Sequence, residues 1–207
     1  MDKRNKVFII LSGIVFILIL FVIQKGPNLI EKEAILETGK AFKKPLEIID
    51  FELKDQNDQL YTKNNLKNKW TILFFGYTNC PDVCPTTIFK LGQIKQHINR
   101  ELPNINLQIL FITLDPERDY TERLKEYLGF FDSSITGLTG DINKIVELTS
   151  NLSVFFQRIN KEDGYDFSHT ASIFLINPRA QLKASFSPAS SIDMLNEDIK
   201  KVVKKTN

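Results

Sequence analysis

Cysteine is almost absent from this chain: Cys80 and Cys84 are the only two in 207 residues, and both fall in one short motif. A pair that close closes too small a loop to staple a fold of this size. A disulfide framework is therefore excluded, and a chemical role is left for them. Histidine is as rare, with His97 and His169 alone, and Met194 is the one methionine beyond the initiator. No internal repeat and no low-complexity tract occurs. An excess of charge is missing too: the formal net charge is +2, and Lys3, Arg4 and Lys6 against Asp2 account for all of it. Lys200, Lys201, Lys204 and Lys205 make a local basic end that reads as a solvated helix face. These numbers exclude a nucleic-acid binder. With 43% hydrophobic and 25% charged residues, the remainder suits one ordinary folded domain.

Charge is absent altogether from Val7 to Ile23, VFIILSGIVFILILFVI. A helix of about 17–25 such residues crosses the hydrocarbon core of a bilayer. Basic residues precede the run and only Lys25 follows it closely, which leaves the N-terminus in the cytoplasm and sends the rest across. The run is longer than the apolar stretch of a cleavable signal, and FVIQKGPNLI lacks an A-x-A-like site, so a single-pass anchor is expected. No Arg- and Ser-rich presequence precedes it. That favours a bacterial inner membrane, with the globular part in the periplasm, over the mitochondrial intermembrane space. The expected division is 1–24 as cytoplasmic N-terminus and anchor, 25–45 as tether and 46–207 as the globular domain. The tether is punctuated by Gly26, Pro27, Gly39 and Pro45, with a short helix around Leu29 to Leu36.

Within the domain, Phe51–Leu53 and Gln59–Tyr61 flank the polar DQND and predict a small hairpin. WTILFFGY, Trp70 to Tyr77, is a continuous apolar run of strand length, suited to a central strand covered on both faces. TNCPDVCP follows, and then Ile88, Leu91, Ile94 and Ile98 recur at helical spacing, with the helix expected to begin near Pro85. LQILFITL, Leu107 to Leu114, predicts a second buried strand, and DPERD is expected to open a helix through about Leu128. Asp141 caps a further helix, Val154 to Phe167 reads as a hairpin turning at KEDG, and ASIFLI and LKASF read as paired strands. SSID, from Ser190, opens the last helix in the manner of a capping box. Strands alternating with helices, then an antiparallel pair and a helix, predict a three-layer α/β domain with a mixed sheet. A cysteine motif directly after the first βα strand makes that domain thioredoxin-like.

Cys80 and Cys84 are spaced i and i+4, which puts both sulfurs on one face of a helical turn. The positive end of a helix and its free N–H groups stabilise the thiolates that both metal binding and disulfide exchange require. Pro81 and Pro85 stiffen the loop. Two soft thiolates select Cu(I) or zinc over harder ions, and an imidazole adds a borderline ligand. His97 lies too far along the helix after the motif to share a site, and reads as an exposed helical residue. His169 precedes ASIFLI, and the loop entering that strand faces the cysteine loop in a thioredoxin-like sheet. Spacing alone leaves it equally readable as a surface histidine. Met194 falls on the distal last helix, where core packing is the expected job.

FGYTNCPDVCP, TLDPERD and SHTASIFLINP match in order and spacing three signatures of the Sco/SenC family, which the chain resembles from about Leu46 to Lys205. The resemblance implies a membrane-anchored, thioredoxin-like domain that binds one copper through Cys80, Cys84 and His169, as Cu(I) or Cu(II). It also implies delivery of that copper to the binuclear centre in the copper-bearing subunit of cytochrome c oxidase. Asp115 matches an acidic position of the family and is given a supporting role. Ser168 departs from the pattern, because members often carry an aspartate before the histidine.

Three functions are weighed. A copper chaperone leads. The alternative is a thiol–disulfide oxidoreductase that reduces the oxidase's own copper-site cysteines through a Cys80–Cys84 disulfide. Against it, common thioredoxin-type enzymes use CxxC and carry a proline just before the strand that here begins at Ala171, where this chain has His169 and Thr170. A thiol peroxidase, which centres on a single nucleophilic cysteine, ranks third.

Overall fold

The computed structural model describes residues 35–206 together with Gly13 and Phe16, which are helical. Apart from those two residues, the expected anchor at Val7–Ile23 lies outside the described residues, as does most of the helix expected around Leu29 to Leu36. Among the described residues no helix is long and apolar enough to cross a membrane.

Within residues 35–206, ten strands and four α-helices follow in order: β1 (Gly39–Glu47), β2 (Glu52–Asp55), β3 (Leu60–Thr62), a 3-10 turn (Lys63–Leu66), β4 (Trp70–Gly76), α1 (Val83–Glu101), β5 (Leu107–Thr113), α2 (Thr121–Gly129), β6 (Ile135–Thr139), α3 (Ile142–Asn151), β7 (Phe156–Lys161), β8 (Gly164–His169), β9 (Ile173–Ile176), β10 (Gln181–Phe186) and α4 (Ile192–Thr206). Eight strands form one sheet in the order β1-β10-β9-β4-β5-β6-β2-β3, while β7 and β8 pair apart as a two-stranded hairpin. The central pairs β4–β5 and β5–β6 are parallel, and β9 runs antiparallel to β4, so the sheet is mixed.

Alternation along the central strands divides the core in two. Trp70, Ile72 and Phe74 of β4, with Ile109 and Phe111 of β5, face Ile88, Leu91 and Ile94 of α1, Leu124 and Leu128 of α2, and Leu195 and Ile199 of α4. Leu73, Phe75, Leu110 and Ile112 face the other way, onto Ile145 and Leu148 of α3 and onto Phe51 and Leu53. Every residue of β4 is buried, as a strand sandwiched between two layers must be. Burying each of these large side chains contributes roughly 1.5–3 kcal/mol. The layers are those expected of a thioredoxin-like domain.

Several elements depart from the sequence reading. Gly39–Glu47, of which residues 39–45 fall in the expected tether, is an edge strand paired with β10, with a register shift between Ala41 and Leu46. β6 was not foreseen. The helix expected from DPERD begins only at Thr121, after a turn in which Arg118 N and Asp119 N donate to Asp115 O. α1 begins at Val83, two residues before Pro85. His97 is half-buried rather than exposed, and Met194 is 40% exposed rather than packed in the core.

Candidate metal centre

The cysteine loop joins the C-terminal end of β4 to the start of α1. Cys80 N donates to Tyr77 O at 3.2 Å, which turns the chain, and Thr86 N donates to Asp82 O at 3.2 Å as the helix forms. Cys84 falls in the first helical turn, and its N–H donates to Cys80 Sγ at 3.4 Å. The two thiols are free, Cys80 half-buried and Cys84 fully buried. Gly76 leaves the room for this arrangement. A Cβ there would stand 2.8 Å from Cys84 Sγ and 2.8 Å from Phe111 Cε2.

The environments push the two thiols apart. The Cys84 thiol, hydrogen-bonded to the Cys80 sulfur, lowers Cys80 to about 5; burial opposes this, and the Cys84 and Asp82 backbone N–H groups and the Tyr77 hydroxyl assist. The same bond and then burial push the Cys84 thiol far up. At neutral pH Cys80 is a thiolate and Cys84 holds the proton. Iodoacetamide is accordingly expected to label Cys80 of the metal-free protein. The thiolate is the nucleophile, so the rate rises through a midpoint near pH 5 and is flat above it, with Cys84 unlabelled while the fold holds. A midpoint at an ordinary thiol value in the pH dependence of labelling would overturn this assignment.

Behind the cysteines stands Asp119, fully buried. It accepts Thr78 N at 2.9 Å and Thr78 Oγ1 at 2.5 Å from the cysteine loop, and Thr113 Oγ1 at 2.6 Å from β5. Burial raises its pKa against those donors. Asp119 thus joins the cysteine loop to TLDPERD, a role the sequence reading did not assign although it lies in the quoted motif. Tyr127 Oη is buried without a hydrogen-bond partner, and burial and then the nearby Cys84 and Cys80 raise its pKa.

Asp115 is buried and faces the hairpin rather than the thiols. It takes the Arg118 Nε–H in an ion pair and accepts Tyr165 Oη at 2.8 Å. The guanidinium groups of Arg118 and Arg158 lie 3.8 and 3.5 Å from the centre of the Tyr165 ring. Burial and then the bond to Asp115 raise Tyr165 to about 12.

His169 ends β8, half-buried and paired with Phe156. Its ring meets Phe74 edge-on at 6.5 Å and Tyr77 at 6.1 Å. Both belong to the end of β4 that carries the cysteine loop. Nδ1 lies 3.2 Å from Thr170 O; with the proton on Nδ1, Nε2 presents the lone pair a metal needs. Among the described residues no three His, Cys, Asp or Glu side chains converge as a ready metal cage. The structure assembles the thiol pair and sets the histidine against the ring of Tyr77, three residues before Cys80. The donor set fits a soft, thiophilic ion: one thiolate already formed, one thiol beside it, and an imidazole at the end of β8.

The SCO1/SenC family model matches residues 40–204. An SCO2-like protein of Rickettsia felis is 36% identical over 154 residues, 73% of this chain and 74% of that protein. The structure of Arabidopsis thaliana ScoI with copper bound superposes with a TM-score of 0.72 at 30% identity, covering 76% of this chain and 98% of that one. Yeast Sco1 with copper bound gives a TM-score of 0.70 at 32% identity, over 77% of this chain and 90% of that one. In sequence across nearly the whole described domain, and in the path of its sheet and helices, this chain belongs to the SCO1/SenC family.

Proposed function

We propose that the domain binds one copper ion through Cys80, Cys84 and His169 and passes it to the copper-bearing subunit of cytochrome c oxidase. The observation that carries this reading is the unequal thiol pair at the head of α1, on the same end of β4 as His169. Family membership supplies the cargo and the recipient: relatives of the same fold are seen with copper bound, and the Sco family serves cytochrome c oxidase assembly. Cys80 offers a formed thiolate, and Cys84 gives up its proton when the metal arrives, so the two thiols together release close to one proton per copper at neutral pH. Three ligands leave an open position through which an incoming thiolate can take the ion. The apolar run Val7–Ile23 would hold the domain at the inner membrane on the periplasmic side.

The test is copper uptake by the full chain in detergent, reduced and loaded anaerobically. One copper per chain is expected. His169→Ala should weaken binding by at least the roughly 10–100-fold that loss of an outer-shell partner costs. Copper indifferent to His169 would sink the three-ligand site.

A second reading rests on the same asymmetry. A half-exposed thiolate beside a buried thiol is what a dithiol reductant uses: Cys80 attacks a target disulfide, and Cys84 then displaces the reduced target. Two electrons and the Cys84 proton pass to the target as the Cys80–Cys84 bond forms, and water supplies the second proton of the reduced target. Reduction of one equivalent of an oxidised oxidase peptide per chain by reduced, copper-free protein, lost in Cys80→Ser, would establish it.

A further inference from the structure

We propose that Asp166 is a positioning residue of this copper site, tying the histidine strand to the cysteine loop through the Tyr77 hydroxyl. The inference rests on the copper-site reading above.

The hairpin that carries His169 is not part of the main sheet, since β7 and β8 pair only with each other. An isolated two-stranded hairpin is marginal in water, so where His169 stands depends on what fastens the hairpin to the body. Side-chain ties to two loops do so. One set, Tyr165 held by Asp115 and Arg118 together with the ion pair of Arg158 and Glu117, runs to the loop after β5. The other runs to the cysteine loop. Tyr77 Oη donates to Asp166 Oδ1 and lies 3.3 Å from Phe167 O, while its ring packs on Phe167 at 5.4 Å and on His169 at 6.1 Å.

Asp166 is itself well fixed. Its Oδ1 also accepts Phe167 N at 2.9 Å, and its Oδ2 takes Lys161 Nζ at 2.5 Å from the end of β7. Donors from the cysteine loop, from its own strand and from the partner strand therefore meet on one carboxylate. Along β8, residues 166 and 168 share one face and 167 and 169 the other. Ser168 carries no charge, so Asp166 is the acidic group of its face. Tyr77 thus holds both faces of the strand: its ring packs on Phe167 and His169, and its hydroxyl reaches the carboxylate. A histidine held in place before the metal arrives gives up less freedom on binding, which is why such a tie raises affinity.

The test uses the full chain in detergent, with Cu(I) affinity measured by competition against a chromophoric chelator. Hydrogen exchange at residues 167–170 is measured in the metal-free protein. Asp166→Ala is expected to weaken binding by roughly 10–100-fold, the range for an outer-shell partner, and to speed exchange. Tyr77→Phe should do likewise, and the double variant should be little worse than the weaker single. Asp166→Asn keeps the acceptor and should bind nearly as the wild type does. Unchanged affinity in Asp166→Ala overturns the inference even if exchange rises, because the tie is then structural only. Additive losses in the double variant overturn it as well. Wild-type protein that takes up no copper overturns the site reading, and the inference with it.

Discussion

Cys84→Ala is expected to abolish stable copper binding and, in the metal-free protein, to move the alkylation midpoint of Cys80 upward from about 5. Cys84 is fully buried, and the groups beside its sulfur are the backbone of Gly76 and of Tyr77, neither of which is a ligand for a soft ion. Nothing can replace the lost thiolate, so the loss should exceed the roughly 100-fold upper range for an outer-shell partner. The midpoint moves because the Cys84 thiol is the largest of the influences lowering Cys80. Without it the Cys84 backbone N–H at 3.4 Å, the Asp82 N–H and the Tyr77 hydroxyl remain, against burial that works the other way. Copper per chain and the pH dependence of iodoacetamide labelling read the two effects separately. Full copper loading in the variant would remove Cys84 from the site. A midpoint still near 5 would show that the helix terminus, not the second thiol, ionises Cys80.

What the sequence made legible follows from locality. WTILFFGY and LQILFITL announced central strands because a strand covered on both faces is apolar without alternation, and the structure buries all of β4. The i, i+4 cysteines at a strand-to-helix junction needed only the local chain to be placed, as did Asp141, whose carboxylate accepts Asn143 N at 2.7 Å. β1 was hidden because an edge strand with one face open has no need of apolar residues. GKAFKKPLE is mostly exposed, and its lysines protect the edge. β6, ITGLT, is short and interrupted by Gly137, whose hydrogen is required where a Cβ would stand 2.6 Å from Leu128 Cδ1. In the site, chemistry was legible and fastening was not. His169 was identified by family resemblance, not by spacing. Tyr77 read as the end of an apolar run and Asp166 as one charge in a polar hairpin. Their bond joins elements distant in the chain, and no periodicity records it.

The unforeseen edge strand carries the second large effect: Asp198→Ala is expected to cost about 1–3 kcal/mol of stability, the range for leaving buried donors without an acceptor. Asp198 sits on α4 with 1% of its surface exposed. Its Oδ2 accepts Glu37 N at 2.7 Å, Thr38 N at 2.8 Å and Thr38 Oγ1 at 2.9 Å, and its Oδ1 takes Lys201 Nζ at 2.9 Å. These bonds fix the chain as it enters β1, and Thr38 O then accepts Ser187 N at 2.8 Å beyond β10. Alanine leaves the Thr38 donors buried and unpaired. For a domain of this size the melting temperature should fall by roughly 2–4 °C for each kcal/mol lost. Acid should mimic the variant. Burial pushes the Asp198 carboxyl up, but the bonds from Lys201, Thr38 and Glu37 more than offset it, leaving it below the ordinary 3.8. A depressed carboxyl stabilises above its unfolded value, and the contribution disappears as pH falls through the folded one. Thermal unfolding at pH 7 and again below pH 4 should therefore bring wild type toward Asp198→Asn, whose amide keeps an acceptor but does not titrate there. A pH 7 loss under about 1 kcal/mol for the alanine variant would mean that pairing with β10 alone holds β1, because a single ordinary hydrogen bond is worth that much.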